Sequence, residues 1–183
     1  SEYMIRSLQR PSSLWACQAL LLATALPAQA TAARPPSSQV TAQRLTKILA
    51  GENPKSVAEL EAMQQHVQAL MKIVLPATVS LNGASGVLVR REDTTYMLCA
   101  AHVTRSADKS ISINLTNGDR LRGTSLGANH QSDVSLVRVD TEGDHPTVEI
   151  GSSSKLQRGQ WVLMLGHPSG FKQGRTAPAR LGR

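Results

Sequence analysis

Aromatic side chains are scarce: two Trp, two Tyr and one Phe make up 3% of 183 residues. Proteins that hold single-stranded nucleic acid stack bases on aromatic rings along a basic groove, and few rings are available here. The excess of cations, 20 Lys and Arg against 13 Asp and Glu for a formal net charge of +7, would otherwise suggest such a partner. The cations are scattered, however, and no run of them exceeds the pair Arg90-Arg91. The charge is therefore read as solubility or surface adhesion, and no nucleic-acid partner is expected.

Cysteine is nearly absent as well. Cys17 lies inside the first apolar stretch, so removal of the first thirty residues would leave Cys99 alone, which excludes an intrachain disulfide and a multi-thiolate zinc site. P-loop and dinucleotide-binding glycine patterns are missing, and the short "NGASG" and "GHPSG" are poor phosphate cradles. Neither a cofactor nor a metal is expected.

Long hydrophobic runs are also lacking. The apolar stretch "LWACQALLLATAL", Leu14 to Leu26, is short for a membrane span. Met4, Arg6 and Arg10 precede it and the small residues of "AQA", Ala28 to Ala30, follow, so residues 1–30 read as a secretory signal peptide cleaved near Thr31. The expectation is an exported protein, periplasmic or extracellular, without stable membrane insertion after cleavage; an uncleaved anchor is the alternative.

The full sequence is 40% hydrophobic and 18% charged, enough for an ordinary core. Residues 31–55 read as a linker, rich in Pro, Ser and Ala, and a short helix over "VTAQRLTKILAGENP" closed by Gly51 and Pro54. A longer helix spans 56–75: Ser56 and Glu59 form a capping box, Val57, Leu60, Met63, Val67, Leu70, Met71 and Val74 recur along one face, and Pro76 stops it. That stripe is read as packing against the main domain, with a partner-binding or oligomer helix as the alternative.

From residue 76 to 150 the period changes to that of short strands: "ATVSL", "SGVLVR", "TYMLCAA", "SISINL", "RLRGTSLG", "DVSLVRV" and "TVEIG". Asn117-Gly118 is read as the strongest hairpin signal, and the absence of helical crossovers favours a small antiparallel barrel or sandwich. Residues 151–183 hold a connector, then a strand in "QWVLMLGHPSG" with a hairpin partner in "RTAPARLGR".

Within this frame His102, at the end of "YMLCAAHV", and Asp133, opening "DVSLVRV", are the candidate functional pair. A neutral imidazole serves as a general base near neutral pH, and a carboxylate can fix its tautomer and stabilise its cation. Asp133 is expected at the mouth of an apolar strand, held still and partly dry. His130, His145 and His167 fall in predicted turns and read as ordinary exposed residues. Zinc held by His102, His130 and Asp133 is conceivable but lacks a local ligand pair. Cys99 reads as a buried thiol rather than a nucleophile.

"ASGVLVRREDTTYMLCAAHV", "HQSDVSLVRV" and "VEIGSSSKLQRGQWVLMLGHPSG", taken in order, resemble the glycine-containing strand and histidine turn, the aspartate strand and the inter-barrel passage of trypsin-like serine proteases, especially the bacterial HtrA/Deg-like branch. "VQALMKIVLPATVSL" is similar to the helix and first strand that enter that fold, so the likeness covers roughly 65–183. The resemblance implies a mainly β protein: a double β-barrel of which the first barrel and the start of the second are present, preceded by helices. It implies catalytic roles for His102, as general base then acid, and for Asp133, as its orienting partner, in serine endopeptidase cleavage of protein or peptide substrates.

The nucleophile is the departure. The family serine sits in a Gly-Asp/Asn-Ser-Gly-Gly turn, and this sequence holds no such turn. Ser169 in "GHPSG" comes too early and lacks the following glycines, and Ser85 and Ser135 fit no better. The expectation is a protease fragment, inactive as given, whose unfinished second barrel leaves self-association open. The alternative is a non-enzymatic secreted binding module on the same barrel.

Overall fold

The computed structural model describes residues 40–183; the signal-peptide and linker readings lie outside these residues. Two helices come first, α1 (Ala42–Leu49) and α2 (Val57–Ala77), each started by a hydroxyl cap. Thr41 accepts from the Arg44 amide at 3.2 Å, and Ser56 accepts from the Glu59 amide at 3.2 Å. The Glu59 carboxylate reaches back one residue beyond the cap, accepting from the Lys55 amide at 2.5 Å.

The carboxylate of Glu59 also joins the helices, accepting from Arg44 Nε at 2.7 Å, while Arg44 is further paired with Glu52. The side-chain hydrogen bond from Arg44, followed by the Lys55 amide, pulls the Glu59 carboxyl from 4.5 down to about 2. A carboxyl lowered in the folded state binds fewer protons there than when unfolded, so its contribution is present above the ordinary value and lost as pH falls through the folded one. Amide hydrogen exchange should therefore show α1 losing protection between about pH 4.5 and 2, ahead of the barrel strands. In Arg44→Ala this acid step should vanish; its persistence there would assign it to another group.

Pro76 does not stop α2 as its position suggests. The helix closes one residue later at Ala77, with the Thr78 amide on the Leu75 carbonyl. Nor is the apolar stripe fully covered: Met63 is buried, whereas Val57 and Leu60 are exposed.

Six strands then close into an antiparallel barrel in the order β1-β2-β3-β6-β5-β4. They are β1 (Thr78–Leu81), β2 (Ala84–Arg91), β3 (Thr94–Cys99), β4 (Ser110–Asn114), β5 (Arg120–Asn129) and β6 (Val134–Val139). Alternation decides the interior, because successive side chains point to opposite faces. Val79, Leu81, Met97, Ile111, Ile113, Leu121, Val137 and Val139 point inward at odd numbers, and Leu88 of β2 at an even one. The change of parity follows from the flanking hairpins, which pair Leu81 with Ala84 and Arg91 with Thr94 across two-residue loops.

The tightest turn is therefore not at Asn117-Gly118. Asn82 and Gly83 both take positive φ, 44° and 81°, in the two-residue loop before β2, whereas the β4–β5 loop spans residues 115–119 and uses positive φ only at Gly118. The segment "TVEIG" is likewise not a strand: Val148 makes a single parallel bridge to Val89. Its side of the barrel is already closed by the six-strand ring.

After the barrel come a 3-10 turn at Ser153–Lys155 and a two-stranded antiparallel sheet, β7 (Val162–Leu165) with β8 (Ala179–Gly182). Met164, Val162 and Leu181 are exposed on this sheet. The end of α1 and the loop after it meet this sheet: the Trp161 amide donates to the Leu49 carbonyl at 3.0 Å, and Arg183 lies over the Trp161 ring and donates to Asn53 Oδ1 at 3.0 Å. No helix among the described residues is long and apolar enough to cross a membrane.

Candidate active site

His102 sits in a single helical turn, α3 (Ala101–Thr104), which leaves β3 at the barrel rim. The turn has no side-chain cap and ends at Arg105, whose φ of 68° reverses the chain. Asp133 occupies the last position before β6, again with positive φ, 52°, a conformation that Asp tolerates better than most residues. It is not the first residue of the strand: the preceding turn is organised by Asn129, whose Oδ1 accepts from the amides of Gln131 and Ser132 at 3.0 and 3.2 Å.

These two turns meet because β3 and β6 are neighbours in register, Cys99 opposite Ser135. The Asp133 carboxylate lies 2.9 and 3.0 Å from His102 Nδ1 and also accepts from the His102 backbone N–H at 3.1 Å. A carboxylate only accepts, so neutral His102 presents Nδ1–H to Asp133 and leaves the Nε2 lone pair free. The site is wetter than its sequence suggests, with side-chain exposures of 72% for His102 and 53% for Asp133. Hydrogen bonds, the His102 backbone N–H first and its ring second, hold the Asp133 carboxyl below its ordinary range against the opposing effect of burial.

Other residues weighed from the sequence fall elsewhere. His130 turns its Nε2 to the Arg105 carbonyl at 3.1 Å and does not join the pair. His145 donates through Nε2 to the Thr141 carbonyl at 2.8 Å. His167 corrects the expectation of an exposed turn residue. It is buried, its amide bound to Ser85 Oγ at 2.7 Å and its Nε2 3.3 Å from the Thr78 carbonyl, because the 166–170 turn folds onto the β1–β2 hairpin. Cys99 is half-buried, and burial pushes its thiol up.

Among the described residues no serine hydroxyl is hydrogen-bonded to the His102 ring. Ser85 accepts from His167, Ser135 is buried, and Ser169 is exposed with φ of 62°. A cleft bounded by Val74, Thr78, Ser85, Leu98, Glu149 and Leu165 includes neither His102 nor Asp133.

Two hydroxyls lie behind the pair. Thr104 Oγ1 and Ser135 Oγ, each two residues beyond His102 and Asp133, are 2.5 Å apart and buried. Sequence reading considers Ser135 only as a nucleophile and passes over Thr104. The matching offsets acquire meaning only once the two segments are adjacent.

A closed six-stranded antiparallel barrel with an imidazole and a carboxylate joined at its rim is the arrangement of trypsin-like hydrolase domains. The chain belongs to the trypsin-like peptidase domain family, whose family model matches residues 84–182. A relative from Pseudomonas fulva, named "Probable periplasmic serine endoprotease DegP-like", is 29% identical over 148 residues, covering 75% of this chain and 30% of the relative. Proteins of the same name from Ectopseudomonas mendocina and Halomonas elongata are 40% and 35% identical over 82 residues, covering 45% of this chain and 17% of each relative. The chain thus spans less than a third of the length of these relatives.

Proposed function

We propose that this chain is the part of an exported serine endopeptidase that supplies the base and its orienting acid. In this reading His102 Nε2 takes the proton of a serine hydroxyl as that oxygen attacks a peptide carbonyl, and then returns it to the leaving amine. Asp133 keeps the ring in the required tautomer and stabilises the imidazolium formed in between. The observation that carries the reading is the doubled contact, ring and backbone N–H of His102 on one carboxylate. The chemistry needs no metal or organic cofactor, and the substrates are proteins or peptides. Names of the relatives and the leader-like first thirty residues support a periplasmic setting, which a mature N-terminus near Thr31 on the exported protein would support and an intact Met4 terminus would oppose.

Because the sequence contains no Gly-Asp/Asn-Ser-Gly-Gly turn, the chain as given has a base without a nucleophile or oxyanion hole. It is expected to show no peptidase activity and no labelling by a serine-directed fluorophosphonate. A longer form carrying the serine turn should label at one serine. Stoichiometric labelling of residues 1–183 that disappears in His102→Ala would overturn this and make Ser169 the first nucleophile to examine. A longer form that never labels would favour the non-enzymatic binding module.

A further inference from the structure

The exposed pair at the barrel rim needs something to hold it. Water competes for both partners at such exposure, so the contact alone gives a weak constraint. The turn that carries His102 is only four residues long and uncapped, too short to define its own orientation. Asp133 sits in a left-handed conformation at the end of an exposed turn. Beyond the strand ladder, the pair itself and the Ala101 amide on Asp133, two side-chain hydrogen bonds join the turn segments. One, His130 to the Arg105 carbonyl, is exposed. The other, Thr104 to Ser135, has both residues 1 to 2% exposed and is sheltered from water.

Proton counting gives that tie a direction. Ser135 Oγ–H donates to the Gly127 carbonyl at 2.8 Å, so its only hydroxyl proton is committed and Thr104 must be the donor to Ser135. The resulting relay, Thr104 to Ser135 to Gly127, joins α3, the start of β6 and the bulge in β5. That bulge, where the register shifts between Ser125 and Gly127, aims β5 toward the turn before Asp133. All three segments that set the pair's geometry are thereby connected by hydrogen bonds, that of Thr104 to Ser135 fully buried and that of Ser135 to Gly127 partly so, and shelter from water strengthens both.

We propose that Thr104 and Ser135 are positioning residues: a buried hydroxyl clamp, parallel to the pair above it, that sets the distance and ring orientation of His102 against Asp133. This rests on the reading of His102 and Asp133 as a working pair. Thr104→Val keeps the side-chain shape and removes the donor, Ser135→Ala removes the acceptor, and Thr104→Ser keeps a hydroxyl.

The measurement is the tautomer of His102 in the whole chain, read by ¹⁵N-edited NMR near pH 8.5, well above the ordinary imidazole range. The wild type should hold the proton on Nδ1. Thr104→Val and Ser135→Ala should give mixed tautomers and several-fold faster solvent exchange of that proton, while Thr104→Ser behaves as wild type. Should Thr104→Val fail to fold, Ser135→Ala carries the same expectation.

Asp133→Asn separates the two readings, since an amide donor facing Nδ1 should move the proton to Nε2. If Asp133→Asn reverses the tautomer but folded Thr104→Val and Ser135→Ala leave it unchanged, the clamp is wrong and the pair stands. A loss shared by Thr104→Ser points to packing and also overturns the clamp. If Asp133→Asn itself changes nothing, the pair reading fails and takes the clamp with it.

Discussion

Replacing His102 by alanine, in a form of the protein that carries the serine turn, is expected to lower kcat by roughly 10⁴-fold or more while leaving the barrel folded. The size follows from the role. Without a base the serine hydroxyl keeps its proton at the moment of attack, and only binding and oxyanion stabilisation remain to assist the reaction. Folding should change little because the His102 side chain is largely exposed and contributes nothing to the core. Asp133→Asn should lower kcat by about 10⁴-fold through the wrong tautomer. Steady-state kinetics on a peptide substrate, with a thermal melt of each variant, tests both. Retained turnover in a destabilised His102→Ala would assign the histidine to structure instead.

The largest loss of stability is expected inside the barrel. Leu88 is fully buried and points into the ring from β2, so Leu88→Ala removes apolar contacts that six surrounding strands cannot close over; a cost of about 2–5 kcal/mol is expected. Gly123 fails in the opposite way. A Cβ there would lie 2.6 Å from the Arg138 carbonyl and 2.8 Å from Val137 Cγ1, and a backbone carbonyl has little freedom to withdraw. Gly123→Ala should therefore cost about 1–3 kcal/mol through overpacking, although alanine is otherwise the better-behaved residue in a strand. Urea melts of the two variants check these values, and a neutral Gly123→Ala would show that β5 can move outward without opening the barrel.

Local pattern carried much of the architecture. The alternation of Ile111 with Ile113 and of Val137 with Val139 marks strands because side chains on one sheet face recur every second residue. Ser56 and Glu59 mark the start of α2 because a helix leaves its first amides unpaired and a nearby hydroxyl can accept one. The signature of an Asn-Gly turn was legible too, but not which of its two occurrences would be the tight one. Loop length settles that, through the pairing of Leu81 with Ala84.

The sequence by itself thus determined the strand grammar, the helix starts, the lack of thiols for a structural metal and the absence of a serine turn, all properties of residues within a few positions of one another or of the chain's composition. Tertiary structure alone decided what depends on ring closure and register. It brought His102 and Asp133 to 2.9 Å across 31 residues, placed Thr104 against Ser135 beneath them, buried His167 under the first hairpin and set the end of α1 on Trp161. None of these contacts has a local period, because each is fixed by how β3 and β6 align, by the bulge in β5 and by which surface is left for the last turn to cover.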